Sequence, residues 1–185
     1  KHHIRANSFL NHVQTHKLKE LDLEGCEFTK ESILSLFTFL TKELISVSRL
    51  NLSFMKIDED GFDGFINRMS DFTLPSLKMF AFNANTMTPS QLDKFDDFLI
   101  KQKKLKALFL NGSVTIDDND DRKSLKKLLK IITMMDITQI GLRGAGTSKY
   151  DFGRFLVKFL KNLSLKGTVL SLDVTNQSFN EEGIE

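Results

Sequence analysis

Residues 18–29 read Leu-Lys-Glu-Leu-Asp-Leu-Glu-Gly-Cys-Glu-Phe-Thr, and the opening, apolar at positions 1, 4 and 6, returns five more times along the chain. The later blocks carry Val47, Leu50, Leu52; Leu77, Phe80, Phe82; Leu105, Leu108, Leu110; Ile137, Ile140, Leu142; and Val169, Leu172, Val174. They begin near residues 18, 47, 77, 105, 137 and 169, spaced 28 to 32 residues apart. Positions 4 and 6 alternate with polar residues in most blocks, the period-2 signature of a short strand with one buried face. A recurring period of this length marks supersecondary units that stack on one another.

The second half of each block predicts a helix. Position 12 holds Thr29, Asp58, Thr88, Ser148 or Asn180, short polar side chains that accept a hydrogen bond from an unpaired N–H at a helix start. Thr88, Pro89 and Gln91 add a capping box with proline at the first helical position. Apolar residues then return at helical spacing: Ile33, Leu36, Phe37, Leu40; Phe62, Phe65, Ile66, Met69; Leu92, Phe95, Leu99; Phe152, Phe155, Leu156, Phe159. The fourth block departs, with Ile116 at position 12 and the run Asp117, Asp118, Asn119, Asp120, Asp121 ahead of Leu125, Leu128, Leu129 and Ile132. This reads as an insertion whose negative charge favours the positive end of a shifted helix.

The L-x-x-L-x-L blocks followed by helices resemble leucine-rich repeats, and the near-thirty-residue unit is similar to the ribonuclease-inhibitor-like subclass. Position 9, usually Asn or Cys there, matches at Cys26 and Asn85 and departs at Met55, Ser113, Ala145 and Gln177. The long helices and degenerate consensus also resemble the repeats of CARMIL-type regulators of actin capping protein. The resemblance implies an α/β solenoid, a horseshoe arc with a parallel sheet on its concave side and helices on its convex side. Residues 1–185 read as one domain of about six repeats. Phe9, Leu10 and Val13 read as the end of an earlier helix and residues 180–185 as the start of a sixth, so a piece of a longer protein is expected.

In such an array, positions 3, 5 and 7 of each strand are expected to face the concave solvent side. The central strands are the apolar ones. Met79, Ala81, Ala107 and Phe109, flanked by Arg49 and Arg143, are the candidate partner-binding residues, an apolar anchor inside a polar rim. The occupant expected is another protein.

Other chemistry is poorly supported. The net charge of +2 gives no general nucleic-acid surface. A single cysteine excludes an intrachain disulfide and points to a reducing compartment, the cytoplasm. Charges interrupt every apolar run well before the ~20 residues of a transmembrane span. Cys26 occupies a repeat position and reads as structural. His12 and His16 share a helical spacing suited to zinc, with His2 and His3 nearby, but no Glu between them completes a hydrolase motif. Asp117, Asn119 and Asp121 begin like a calcium loop, yet Arg122 stands where Gly is needed and Leu128 where Glu is needed. Gly141, Gly144 and Gly146 read as turn glycines rather than a phosphate loop, because no Gly-Lys-Ser/Thr follows. Four sequons, at Asn51, Asn111, Asn162 and Asn176, are read as chance triplets. The lysines at 101, 103, 104, 106, 126, 127 and 130 read as solvated faces of convex helices.

The function expected is therefore a non-catalytic protein-interaction scaffold that holds no cofactor or metal. The alternatives are an oligomerisation, autoinhibition or regulatory module of a larger actin-regulatory or immune-type protein, and a GTPase-activating module in which Arg49 or Arg143 would stabilise charge on a transferring phosphoryl group.

Overall fold

The computed structural model describes residues 18–42, 46–114, 119–144, 152–167 and 171–175. Each block begins with a three-residue strand: β1 (Glu20–Asp22), β2 (Arg49–Asn51), β3 (Met79–Ala81), β4 (Ala107–Phe109), β5 (Gln139–Gly141) and β6 (Ser171–Asp173). Helices alternate with them: α1 (Lys30–Lys42), α2 (Glu59–Met69), α3 (Pro89–Lys101), α4 (Asn119–Met134) and α5 (Phe152–Lys166). The strands form one parallel sheet in sequence order, and equivalent repeat positions pair, as in Leu21 with Leu50 and Leu50 with Phe80. Consecutive helices pack side by side, so the expected α/β leucine-rich-repeat-like solenoid is the fold.

Helix starts follow the sequence chemistry where they are described. Asp58 accepts the Gly61 N–H at 2.7 Å, and Thr88 and Gln91 form the reciprocal capping box. Thr29 accepts the Ser32 N–H while the Ser32 hydroxyl accepts the Thr29 N–H, the same reciprocity with serine in place of glutamine. Helix α4 begins at Asn119, so Asn119, Asp120 and Asp121 form its first turn instead of preceding it. Carboxylates there suit the helix dipole. Ser148, Asn180, the four histidines, Phe9, Leu10, Val13 and residues 180–185 lie outside the described residues, as do Asp117, Asp118 and the side chains of Asn119 to Arg122.

The core lies between sheet and helices, and phenylalanine dominates its first half. Phe37 stacks on Phe72 at 4.8 Å, Phe65 on Phe82 at 6.0 Å and Phe82 on Phe95 at 5.4 Å, linking three successive blocks. The second half is mostly aliphatic, built from Leu108, Leu110, Leu125, Leu128, Ile132, Ile137, Ile140 and Leu142, with Phe159 as its phenylalanine. The buried Gln102 closes the join between α3 and β4. Its Oε1 accepts the Leu74 N–H at 2.9 Å, and its Nε2 donates to the Phe98 and Phe72 carbonyls at 2.8 and 3.0 Å.

The turn leaving each strand needs help from side chains. At position 9, Asn85 accepts the Met55 N–H through Oδ1 at 2.9 Å and donates through Nδ2 to the Leu52 carbonyl at 2.6 Å. Ser113 does the same one block later, accepting the Asn85 N–H at 3.1 Å and donating to the Phe82 carbonyl. Ser113 thus departs from the consensus in identity but not in role. At position 8 the backbone is left-handed in each of the five blocks where it is described. Gly25, Gly112 and Gly144 take it without strain, whereas Phe54 (φ 56) and Ala84 (φ 53) do not. A side chain in this region costs ~1–2 kcal/mol.

Asp96, on α3, is fully buried against α4, and neither carboxylate oxygen has a hydrogen-bond partner among the described residues. Burial pushes its carboxyl up to about 7. Lys127 on α4 opposes this, and Asp93 and Asp97 reinforce it. Lys127 Nζ sits 2.7 Å from Asp93 but 3.7 Å from Asp96, too far for a hydrogen bond to the buried group.

Ser113→Ala strands a buried N–H and a buried carbonyl, and urea denaturation should register a loss of about 1–3 kcal/mol. Between about pH 4 and 7 folded Asp96 keeps a proton that the unfolded chain has released, so its contribution to stability falls as pH rises through that window and is constant above it. Asp96→Asn should remove this decline, so that its stability advantage over wild type grows by about 1–3 kcal/mol between pH 4.5 and pH 8 in denaturant titrations.

Candidate protein-binding face

The parallel register brings the candidate residues together in two rows across the sheet. Glu20, Arg49, Met79, Ala107, Gln139 and Ser171 align at position 3. Asp22, Asn51, Ala81, Phe109, Gly141 and Asp173 align at position 5. Met79 and Ala107 are direct cross-strand partners, as are Ala81 and Phe109, so the apolar set forms one contiguous group.

Not all of that group reaches solvent. Met79 and Phe109 are half-buried, whereas Ala81 and Ala107 are 6% and 7% exposed. The expectation that every position 3, 5 and 7 side chain faces solvent is corrected here. Each alanine is a single methyl between longer neighbours on paired strands, Asn51 and Phe109 in one case and Met79 and Gln139 in the other. They form a floor, and Met79 and Phe109 are the accessible apolar side chains.

Gly141 explains how Phe109 lies. A Cβ at residue 141 would sit 2.9 Å from Phe109 Cδ1 and 2.9 Å from Asn111 Oδ1. The missing side chain makes room for the ring edge and for the Asn111 carboxamide, and residue 141 itself is buried.

Position 7 was expected to contribute to recognition, but its side chains have a structural task. The N–H at this position points back toward the preceding block and finds no carbonyl in the ladder. In blocks one, two and six the position-5 side chain of the same strand caps it: Asp22 accepts the Glu24 N–H at 3.0 Å, Asn51 that of Ser53 at 3.1 Å and Asp173 that of Thr175 at 3.1 Å. Ala81, Phe109 and Gly141 cannot do this. In blocks three to five the position-7 side chain of the preceding block substitutes: Ser53 Oγ accepts the Asn83 N–H at 3.0 Å, Asn83 Oδ1 that of Asn111 at 2.9 Å and Asn111 Oδ1 that of Arg143 at 2.8 Å. Two of the four sequon asparagines, Asn51 and Asn111, are thereby committed to the fold.

The flanking arginines are exposed but held. Arg49 pairs with Glu20 at 3.3 Å and Arg143 with Asp173 at 2.8 Å. The Thr175 N–H and the Arg143 guanidinium hold the Asp173 carboxyl below its usual range. Burial pushes the Cys26 thiol up, which suits a structural residue rather than a nucleophile. Among the described residues no cluster of metal-ligating side chains occurs, and no helix is long and apolar enough to cross a membrane.

Gly141→Ala should lower stability by about 1–3 kcal/mol, because Asn111 is tied to the Arg143 backbone and cannot move freely. Adding Phe109→Ala should restore part of that loss in thermal denaturation; an unrelieved double variant would show that the ring is not the obstacle.

No known protein-family pattern matches this chain, and no curated protein matches it. Solved structures do. The tropomodulin C-terminal domain of Caenorhabditis elegans superposes with a TM-score of 0.61 at 15% identity, covering 87% of this chain and 90% of that one. Leiomodin-1 Actin-Binding Site 2 superposes with a TM-score of 0.58 at 12% identity, covering 88% of each chain. At these identities the chain shares with both the leucine-rich-repeat-like fold.

Proposed function

We propose that this chain is a non-catalytic protein-binding scaffold of an actin-regulatory protein, working in the cytoplasm, with its partner held on the concave face. The observation that carries this reading is the pair Met79 and Phe109, half-buried on adjacent strands over an alanine floor, between two exposed arginines. A rigid parallel sheet presents these side chains at little ordering cost. Arg49 and Arg143 are pre-oriented by their carboxylates and keep further guanidinium donors for a partner. Ala81 and Ala107 complete the binding group by letting partner atoms approach the sheet closely. Actin is the candidate partner, because leiomodin-1 Actin-Binding Site 2 has the same fold. The ribonuclease-inhibitor-like subclass and a CARMIL-type relationship fit the block length and helix length of the sequence.

The GTPase-activating alternative is less well supported, since both candidate arginines are engaged with carboxylates on their own sheet. One observation favours the oligomerisation or autoinhibition reading: Val157 and Leu160 on α5 are 56% and 39% exposed and share a helical face. Solution mass across a concentration series separates self-association from a monomeric receptor.

Binding to filamentous and to monomeric actin is the direct test, by cosedimentation and by fluorescence anisotropy of labelled monomer. Wild type should bind at least one form, and Phe109→Asp should weaken it roughly tenfold or more while keeping the helical circular dichroism of wild type. Absence of binding to both forms would remove actin as partner; unchanged affinity in Phe109→Asp would remove the concave patch.

A further inference from the structure

We propose that the rim around Phe54 is a second protein-docking edge, built to receive a basic polypeptide segment with apolar side chains that straddle the Phe54 ring. This goes beyond the concave-face reading: Asp22 and Glu24 lie on that face in the first block, but Met79, Phe109 and the alanines between them take no part. The rim is the line of position-8 residues Gly25, Phe54, Ala84, Gly112 and Gly144, all left-handed. Backbone hydrogen bonds knit it together: Gly25 N–H to the Ser53 carbonyl, Phe54 N–H to that of Asn83, Ala84 N–H to that of Asn111 and Gly112 N–H to that of Arg143. Four of the five residues are glycine or alanine, so the edge is a shelf that another backbone can approach closely, with one large side chain projecting from it.

That side chain is in an unexpected place. An L-residue with φ 56 is strained where glycine is not, and the Phe54 ring remains 52% exposed and outside the core cluster. Within the fold the strain therefore has little compensating burial. Exposed strain of this kind concentrates where a side chain meets a ligand.

The charge beside Phe54 selects the partner. Glu20, Asp22, Glu24 and Glu27 are all exposed on the first block, and Glu24 and Glu27 meet Asn51 and Lys56 on either side of the Phe54 turn. Arg49 engages Glu20, and Lys56 engages Glu27 at 3.2 Å. Asp22 and Glu24 bond only to the Glu24 N–H and the Asn51 carboxamide, so among the described residues neither carboxylate meets a cation. Lys or Arg side chains in the partner segment complement these two carboxylates, and its apolar side chains cover the ring.

A displayed library of random linear peptides, selected on the wild-type chain and counter-selected on Phe54→Gly, tests this. Enriched peptides should carry excess Lys and Arg, bind wild type roughly tenfold or more tightly than Phe54→Gly, and lose affinity similarly in the Asp22→Asn, Glu24→Gln double variant, whose Asn keeps an acceptor for the residue-24 N–H as Asn51 does for Ser53. Phe54→Gly should also unfold at a higher urea concentration than wild type, which shows that lost binding is not lost folding. A library yielding no peptide that discriminates Phe54→Gly, discriminating peptides without a basic excess, or a lowered urea midpoint would each overturn the proposal. Because Phe54→Gly leaves Met79 and Phe109 in place, its effect on peptide capture is read independently of actin binding by the concave face.

Discussion

The structure depends on one backbone group that a parallel ladder cannot satisfy, the N–H at position 7 of each block. Leaving it unpaired costs most in blocks two to four, where the bond is partly buried, and less in blocks one, five and six, where water can reach it. The chain answers in two ways. A polar residue at position 5 caps it locally, or the preceding block reaches across. Where the second answer is used, position 5 is free to be apolar or small, and Ala81, Phe109 and Gly141 occupy it. The apolar centre of the concave face therefore exists because Ser53, Asn83 and Asn111 carry the capping that those residues cannot provide.

This division of labour explains what was legible in the sequence. The L-x-x-L-x-L spacing exposed strands, register and core directly, because burial of Leu50, Phe80 or Leu108 depends only on which face of a strand a residue occupies. Caps at Asp58 and Thr88 were equally readable, being local chemistry between residues three apart. The binding face was only partly readable. Sequence spacing assigns a direction to a side chain but not the height of its neighbours, so Ala81 and Ala107 looked exposed and are covered. It also does not reveal that an outward-pointing asparagine is occupied by a backbone N–H some thirty residues away. Phe54 escaped notice for a different reason: glycine marks a left-handed turn in a sequence, whereas a phenylalanine in that conformation carries no local sign. Its only signal was positional, its alignment with Gly25, Gly112 and Gly144.

Charge is distributed unevenly over a chain whose total is near neutral. The first block places four carboxylates on its exposed surface, while α3 and α4 hold Asp93, Asp96 and Asp97 against Lys127. Net charge hides both features. The first shapes what can approach the rim, and the second leaves an unsolvated carboxyl between two helices on the convex side, where protonation relieves rather than removes an interaction.

The position-7 and position-9 bonds run in opposite directions along the array. Ser53 serves the block after it, and Asn85 serves the block before it. Block three draws on both neighbours, through Ser53 before it and Ser113 after it, quite apart from the apolar surface they share. In the language of one-dimensional cooperative chains, this adds a polar coupling to the three interfaces between blocks two and five and raises the penalty there for a boundary between folded and unfolded segments. Fraying of block one or block six can therefore stop at an interface without this coupling, whereas the strands of blocks two to five should exchange their amide protons together, as a single cooperative unit, rather than block by block.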